Sequence, residues 1–166
     1  LNHLPCDLVV FKDGGIRYIR KLLVVVDDSS DDELLSQATT DLSRYFRARV
    51  TFARFAPKNA STSELHDIAD HVDHLRRMSP VASDVMLLKG ENLIDAVVAA
   101  TEEFDLMLMS SYARKSWRNQ FFKSEQDRIA SASLCSVLMI RTPQERLNPV
   151  FDPERFRLFS HIEEAA

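Results

Sequence analysis

Three clusters of polar residues have the types and spacing for chemistry, and each asks for a different kind. The densest is His66-Asp67-Ile68-Ala69-Asp70-His71-Val72-Asp73-His74. On a helix His66 lies one turn from Asp70, and His71 from His74, a spacing at which side chains could share a divalent ion. Zinc sites also recruit ligands from a second element, and the sequence offers none. These residues therefore read as a solvated helix face, and no metal is expected. Asp27, Asp28, Asp31, Asp32 and Glu33 crowd a second point. Carboxylates at a helix start favour its dipole and cap free amides, and they would repel a triphosphate unless a metal intervened. The third cluster is basic: Arg114, Lys115, Arg118 and Lys123, interleaved with Trp117, Phe121 and Phe122. Arginine forks could clamp a phosphate while Trp117 stacks on a base. The simpler reading is a solvated loop whose aromatics tuck against a sheet end or a subunit contact. No G-x-S-x-G elbow is present, and Lys123-Ser124 lacks the upstream glycines of a P-loop. With no catalytic constellation, the chain is not expected to be an enzyme.

The elements that carry these clusters alternate. Lys21-Leu22-Leu23-Val24-Val25-Val26-Asp27 is a continuous apolar run, as expected for a strand buried on both faces of a parallel sheet. Ser30 with Glu33 makes a capping box, and Leu35, Ala38, Leu42, Tyr45 and Phe46 follow at helical spacing. A second strand covers 50–55 and stops at Pro57. Ser63 or a neighbour caps a helix with the face Leu65, Ile68, Ala69, Val72 and Leu75. A third strand is expected at 85–88. After Gly90, the positions Leu93, Ile94, Val97, Val98 and Thr101 mark a third helix. Strand 106–109, a helix from about 124 to 132, and strand 137–140 complete five strand–helix units. Such alternation predicts an α/β fold, a doubly wound five-stranded parallel sheet with helices on both faces. Ligands in such sheets bind where strand order reverses, here between the first and fourth strands of the repeat.

Composition sets the outer bounds. The chain has 166 residues, 45% of them hydrophobic and 28% charged, ordinary values for a soluble globular protein. A net charge of -4 gives no support for nucleic-acid binding. No apolar run reaches the length of a membrane span, and no secretory signal layout opens the chain, so the cytoplasm is the expected compartment. Two cysteines, Cys6 and Cys135, make neither a disulfide framework nor a zinc site; each precedes an apolar strand and reads as a buried thiol.

Residues 20–141 resemble a universal stress protein domain. Leu22-Leu23-Val24-Val25-Val26-Asp27-Asp28-Ser29 is similar to the family's opening I-L-V-P-V-D-G-S, with Val25 in place of proline and Asp28 in place of glycine. Leu88-Lys89-Gly90 resembles its V-x-x-G, and the strand–loop–helix–strand tail from Asp105 to Arg141 resembles its C-terminal half. In nucleotide-binding members the strand runs into G-x-x-G, then nine residues, then G-[ST]. Those glycine positions here are Ser110, Ala113 and Lys123, and only Ser124 fits the pattern. Glycine is used there because amides close on a phosphate only where side chains leave room and positive φ is allowed. Asp27 and Phe55 fall on the family's adenine-contacting places. The resemblance thus implies the fold and a pocket at Asp27, Phe55, Ser110, Ala113, Lys123 and Ser124, while the substitutions imply a vestigial one.

Two segments flank that unit, giving a layout of residues 1–19, 20–142 and 143–166. Leu4-Pro5-Cys6-Asp7-Leu8-Val9-Val10-Phe11-Lys12 echoes Leu134-Cys135-Ser136-Val137-Leu138-Met139-Ile140-Arg141. It reads either as the last strand of a preceding domain of the same type or as an extra edge strand. At the other end Asp152 and Pro153 open a short helix, with Phe151 facing Phe156 as a staple and Phe156, Phe159 and Ile162 as a stripe. The resemblance implies a regulatory or interaction domain with no resident cofactor, forming a homodimer and set in the cytosolic tail of a bacterial membrane transporter. The alternatives are a sensor that binds AMP, ATP or a cyclic dinucleotide and, more remotely, a nucleotide hydrolase.

Overall fold

In the computed structural model, which describes residues 8–27, 32–113 and 125–143, strands and helices alternate as the apolar pattern requires. The chain runs β1 (Leu8–Lys12), β2 (Lys21–Val26), α1 (Asp32–Phe46), β3 (Arg49–Pro57), α2 (Thr62–Met78) and β4 (Ser83–Gly90). It continues through α3 (Leu93–Ala100), a 3-10 turn (Thr101–Glu103), β5 (Leu106–Ala113), α4 (Glu125–Ala132) and β6 (Ser136–Pro143). The six strands form one sheet in the order β1-β6-β5-β2-β3-β4. From β6 to β4 every pairing is parallel, and β1 lies antiparallel on β6. The expected doubly wound sheet and its extra N-terminal edge strand are both present.

Each central strand feeds two cores because its side chains alternate between faces. Leu22, Val24, Val50, Phe52, Leu106 and Leu108 meet Leu35 of α1 and Val72 and Leu75 of α2. Leu23, Val25, Ala53, Met107, Met109 and Val137 meet Val97 of α3 and Ile129 of α4. A fully buried Leu or Phe contributes about 1.5–3 kcal/mol, so these two layers hold the sheet between its helices.

Local departures from the expected pattern have physical causes. Tyr45 was expected on the apolar face of α1 but is 82% exposed. The buried face instead carries Leu35, Ser36, Thr39, Thr40 and Ser43, so at 100° per residue Tyr45 falls on the far flank. The hydroxyls there are satisfied by backbone: Thr39 Oγ1 donates to the Leu35 carbonyl at 2.6 Å, and Ser43 Oγ to that of Ala48 at 3.0 Å. Arg47, at φ 54°, turns the chain out of α1 in the left-handed conformation. The cap of α2 is Ser61, whose hydroxyl accepts from the Glu64 amide while the Glu64 carboxylate accepts from the Ser61 amide.

The segment between β1 and β2 is fastened at several points. Lys12 Nζ donates to the carbonyls of Ser131 and Ser133, capping the C-terminal end of α4. The Gly14 amide donates to Ser136 Oγ at 3.0 Å, and a Cβ on Gly14 would sit 2.7 Å from the Ser136 nitrogen. Asp105 then accepts from the amides of Arg20 and Lys21 at 2.7 and 2.9 Å. The expected Ser30 cap, the basic loop at 114–122 and the helix opening at Pro153 lie outside the described residues.

Candidate functional site

Strand order reverses at β2, which pairs in parallel with β3 on one side and β5 on the other. The crevice of an open α/β sheet forms at the C-terminal ends of these strands. Asp27 follows β2 directly and is partly buried. Phe55 lies one residue beyond Arg54, the last β3 residue paired with β2. Ser110 lies one residue beyond Met109, the last β5 residue paired with β2, and is buried. The fold therefore carries Asp27, Phe55 and Ser110 to one end of three neighbouring strands. Ala113 ends β5. Lys123 and Ser124 lie outside the described residues.

Phe55 packs on the α3 side. A Cβ on Gly90 would stand 3.5 Å from Phe55 Cε2 and 2.9 Å from the Cβ of Ala96. Gly90 is thus required by close approach, where β4 hands the chain to α3.

The backbone of β5 departs from a phosphate cradle. Ser110, Ser111, Tyr112 and Ala113 stay in register with Ile140, Arg141, Thr142 and Pro143 of β6. A cradle needs successive amides converging on one point, which a turning backbone supplies. An extended strand sends alternate amides to opposite sides, and those facing β6 are engaged in the ladder. From Ser110 to Ala113 this chain offers no convergent set.

A cleft of about 310 Å³ lies near the same end of the sheet, between the starts of α3 and α4, lined by Asn92, Leu93, Ile94, Asp95, Glu125 and Arg128. Asn92 caps α3: its Oδ1 accepts from the Asp95 amide at 2.9 Å, and its Nδ2 donates to the Asp95 carboxylate. The sequence reading passed over Asn92, Asp95 and Arg128. The N-x-x-D spacing after Gly90 was the available signal for the first two; nothing local marks Arg128.

Of the other clusters, the one on α2 is described throughout. His66 faces Asp70 at 3.4 Å on the solvated side of α2. Asp73 holds Arg76 at 2.6 Å and Arg77 at 3.3 Å, and the Arg76 hydrogen bond keeps its carboxyl below the usual aspartate range. His71 departs from the expected solvated face; its Nδ1 meets the Arg54 guanidinium on β3. Among the described residues no group of three or more His, Cys, Asp or Glu is placed to hold a metal. Of the acidic cluster at 27–33, Glu33 is exposed on the first turn of α1, and residues 28–31 lie outside the described residues. Cys135 is buried, and that burial pushes its thiol above the ordinary range.

The shape of the chain has clear relatives among solved structures. A universal stress protein in complex with cAMP superposes with a TM-score of 0.56 at 18% identity, covering 75% of this chain and 98% of that one. The chain has the universal stress protein fold. A universal stress protein from Archaeoglobus fulgidus in complex with dAMP gives a TM-score of 0.55 at 16% identity over 75% of this chain and 99% of that one. A second from Archaeoglobus fulgidus DSM 4304 gives 0.58 at 13% identity, covering 87% of this chain but 52% of that longer one. No family model and no curated protein matches the sequence. At these identities the universal stress protein likeness is one of fold.

Proposed function

We propose that this chain is a non-catalytic regulatory or interaction domain of universal stress protein type whose nucleotide pocket has lost the family's way of holding phosphate. One observation carries the reading: β5 remains paired with β6 through Ser110–Ala113, where a cradle would turn away from the sheet. The substitutions agree with it, because Ser110, Ala113 and Lys123 bring side chains to the three glycine positions. The setting we propose is the cytosolic side of a bacterial membrane transporter, beside another domain of the same kind. Support for the neighbouring domain comes from the echo between residues 4–12 and 134–141, and from the longer Archaeoglobus chain of which this one covers about half; the transporter is what the family resemblance implies. Among the described residues no helix is long and apolar enough to cross a membrane. Self-association as a homodimer belongs to the same proposal.

A second reading is favoured by the neighbours in complex with cAMP and dAMP. A ligand with one phosphate asks less of a cradle, and Asp27, Phe55 and Ser110 could line its base and sugar. Calorimetric titration with magnesium-ATP, AMP, cAMP and cyclic dinucleotides separates the two. The first reading expects no saturable heat from any of them. Saturable AMP or cAMP binding that Asp27→Ala and Phe55→Ala weaken would establish the sensor instead.

A further inference from the structure

Among the described strands only β1 runs antiparallel to its neighbour, and its sequence repeats that of the strand it lies on. Cys6-Asp7-Leu8-Val9-Val10-Phe11-Lys12 matches Cys135-Ser136-Val137-Leu138-Met139-Ile140-Arg141 position by position: a cysteine, a polar residue, four apolar residues and a base. The register of the ladder is a second, independent fact. Leu8 pairs with Arg141, Val9 with Ile140, Val10 with Met139, Phe11 with Leu138 and Lys12 with Val137. Val10 and Met139 are counterparts in the repeat, and they stand opposite each other at the midpoint of the ladder. Outward from them every pair has its equivalent: Val9–Ile140 answers Phe11–Leu138, and Leu8–Arg141 answers Lys12–Val137. Two like strands joined about a two-fold axis must pair in this way, because residue i then meets j wherever j meets i. An edge strand added for cover alone has no reason to centre there.

We propose that β1 is the last strand of a second domain of this same fold, preceding this one in the polypeptide, and that the β1–β6 ladder is the interface through which the two domains dock. The proposal rests on the neighbouring domain put forward above. Two parallel sheets that meet at their last strands about a two-fold axis bring those strands together antiparallel, which accounts for the direction of β1. Equivalent residues then face the same side. Val10 lies beside Met139 of the layer that α3 and α4 cover, and Val9 and Phe11 lie beside Ile140 and Leu138 of the layer that α1 and α2 cover. Exposure agrees. Met139 and Ile140 are 3% and 5% exposed, whereas their counterparts Val10 and Phe11 are 39% and 57% exposed, and Val9 is 55% exposed. Four successive apolar residues are the pattern of a strand buried on both faces of a parallel sheet. β1 has that pattern without the burial, as a last strand does when the sheet and helices of its own domain are not beside it. The partner is therefore a domain that sets a strand along the outer edge of β1 and a helix layer on each of its faces. In the chain by itself that outer edge is open, and a second copy can occupy it instead.

Upstream sequence and thiol labelling together test the proposal. The coding sequence ahead of Leu1 is expected to hold a run like that of residues 22–27 about 115 residues before Leu8, the spacing that separates Leu22 from Val137 in this chain. Labelling then reads the interface. With Cys6→Ser as background, Val9→Cys and Val10→Cys report the two faces of β1 in separate variants. Val85→Cys on β4, the far edge of the sheet, is the open reference. Maleimide modification at each position is followed by mass spectrometry at sub-micromolar protein, in the 166-residue chain and in the polypeptide extended to include the preceding domain. The extension is expected to slow Val9→Cys and Val10→Cys by at least about ten-fold and to leave Val85→Cys unchanged. A preceding domain beside which Val9→Cys and Val10→Cys stay as reactive as in the shorter chain would overturn the docking and leave the neighbour in place. An upstream sequence without such a domain would overturn the docking and the neighbour together. The nucleotide pocket, argued from β5, is untouched by either result.

Discussion

Glu64 illustrates how a side chain at the surface can still set the behaviour of an element. Its carboxylate accepts from the Ser61 amide at 2.7 Å, and that bond holds it below the ordinary glutamate range. Asp73, nine residues on, is lowered first by its hydrogen bond to Arg76. A carboxyl whose folded pKa is depressed contributes stability above its unfolded pKa and loses it as pH falls through the folded value. The domain is therefore expected to weaken on acidification from about pH 5 downward, where carboxylates of the unfolded chain begin to protonate. Urea midpoints measured from neutral pH downward check this. Ser61→Ala combined with Asp73→Asn should flatten the acid limb, and an unchanged limb would show that α2 does not set it. At this scale the sequence was partly legible. S-x-x-E announced a helix start, and strict counting back from Glu64 selects Ser61 over Ser63. Arg47 was not legible, because a left-handed cap is normally announced by glycine or asparagine. The Arg54–His71 contact joins two elements and leaves no local trace.

At the scale of elements, hydrophobic period carried most of the information. The run from Leu22 to Val26 and the 3.6-residue repeats of α2 and α3 required no tertiary knowledge. Strand ends were read too short at both β3 and β4, since Arg49, Pro57, Ser83 and Gly90 are not strand formers and are placed by pairing with a neighbour. The same effect hid the far end of β5, where Ser110–Ala113 reads as loop but is held by β6. The helix entry at α3 depends on Gly90. Gly90→Ala would place its Cβ 2.9 Å from that of Ala96, closer than real contacts allow. Such overpacking costs about 1–3 kcal/mol, read as a lower urea midpoint with unchanged slope. Wild-type stability in Gly90→Ala would mean that α3 shifts without penalty and that the close approach is not tight.

For the whole molecule, the two edges of the sheet differ in character. β4 carries exposed Asp84 and Lys89, charges that discourage pairing with another chain. β1 offers Val9, Val10 and Phe11, all exposed, and its outer amides and carbonyls face no neighbouring strand in the sheet order. With β6 paired on both sides, the proposed homodimer is expected to run through β1, edge to edge about a two-fold axis. Sedimentation at high micromolar concentration should show the dimer, and Val10→Lys should shift it to monomer. Monomer alone in the unmodified chain would refute self-association. The fold as a whole was legible because five alternating units admit few right-handed arrangements. The direction of β1 was not, since an apolar run of five residues specifies burial but no partner. The candidate site was legible as a location, through the reversal of strand order, and as a set of missing glycines. Its backbone course was not.

In the proposed reading Ser110–Ala113 is sheet, and its β6-facing amides are unavailable to a phosphate. Amide hydrogen exchange across these four residues, with and without magnesium-ATP, tests it most directly. Amides bonded into the β6 ladder exchange through local opening and should be protected like those of Leu106–Met109 in the same strand. In the nucleotide-free protein that protection is expected at the β6-facing amides of Ser110–Ala113, with no change when magnesium-ATP is added. Rapid exchange at those β6-facing amides that becomes slow on adding magnesium-ATP would overturn the reading, because the segment would then be a loop that folds around the phosphates.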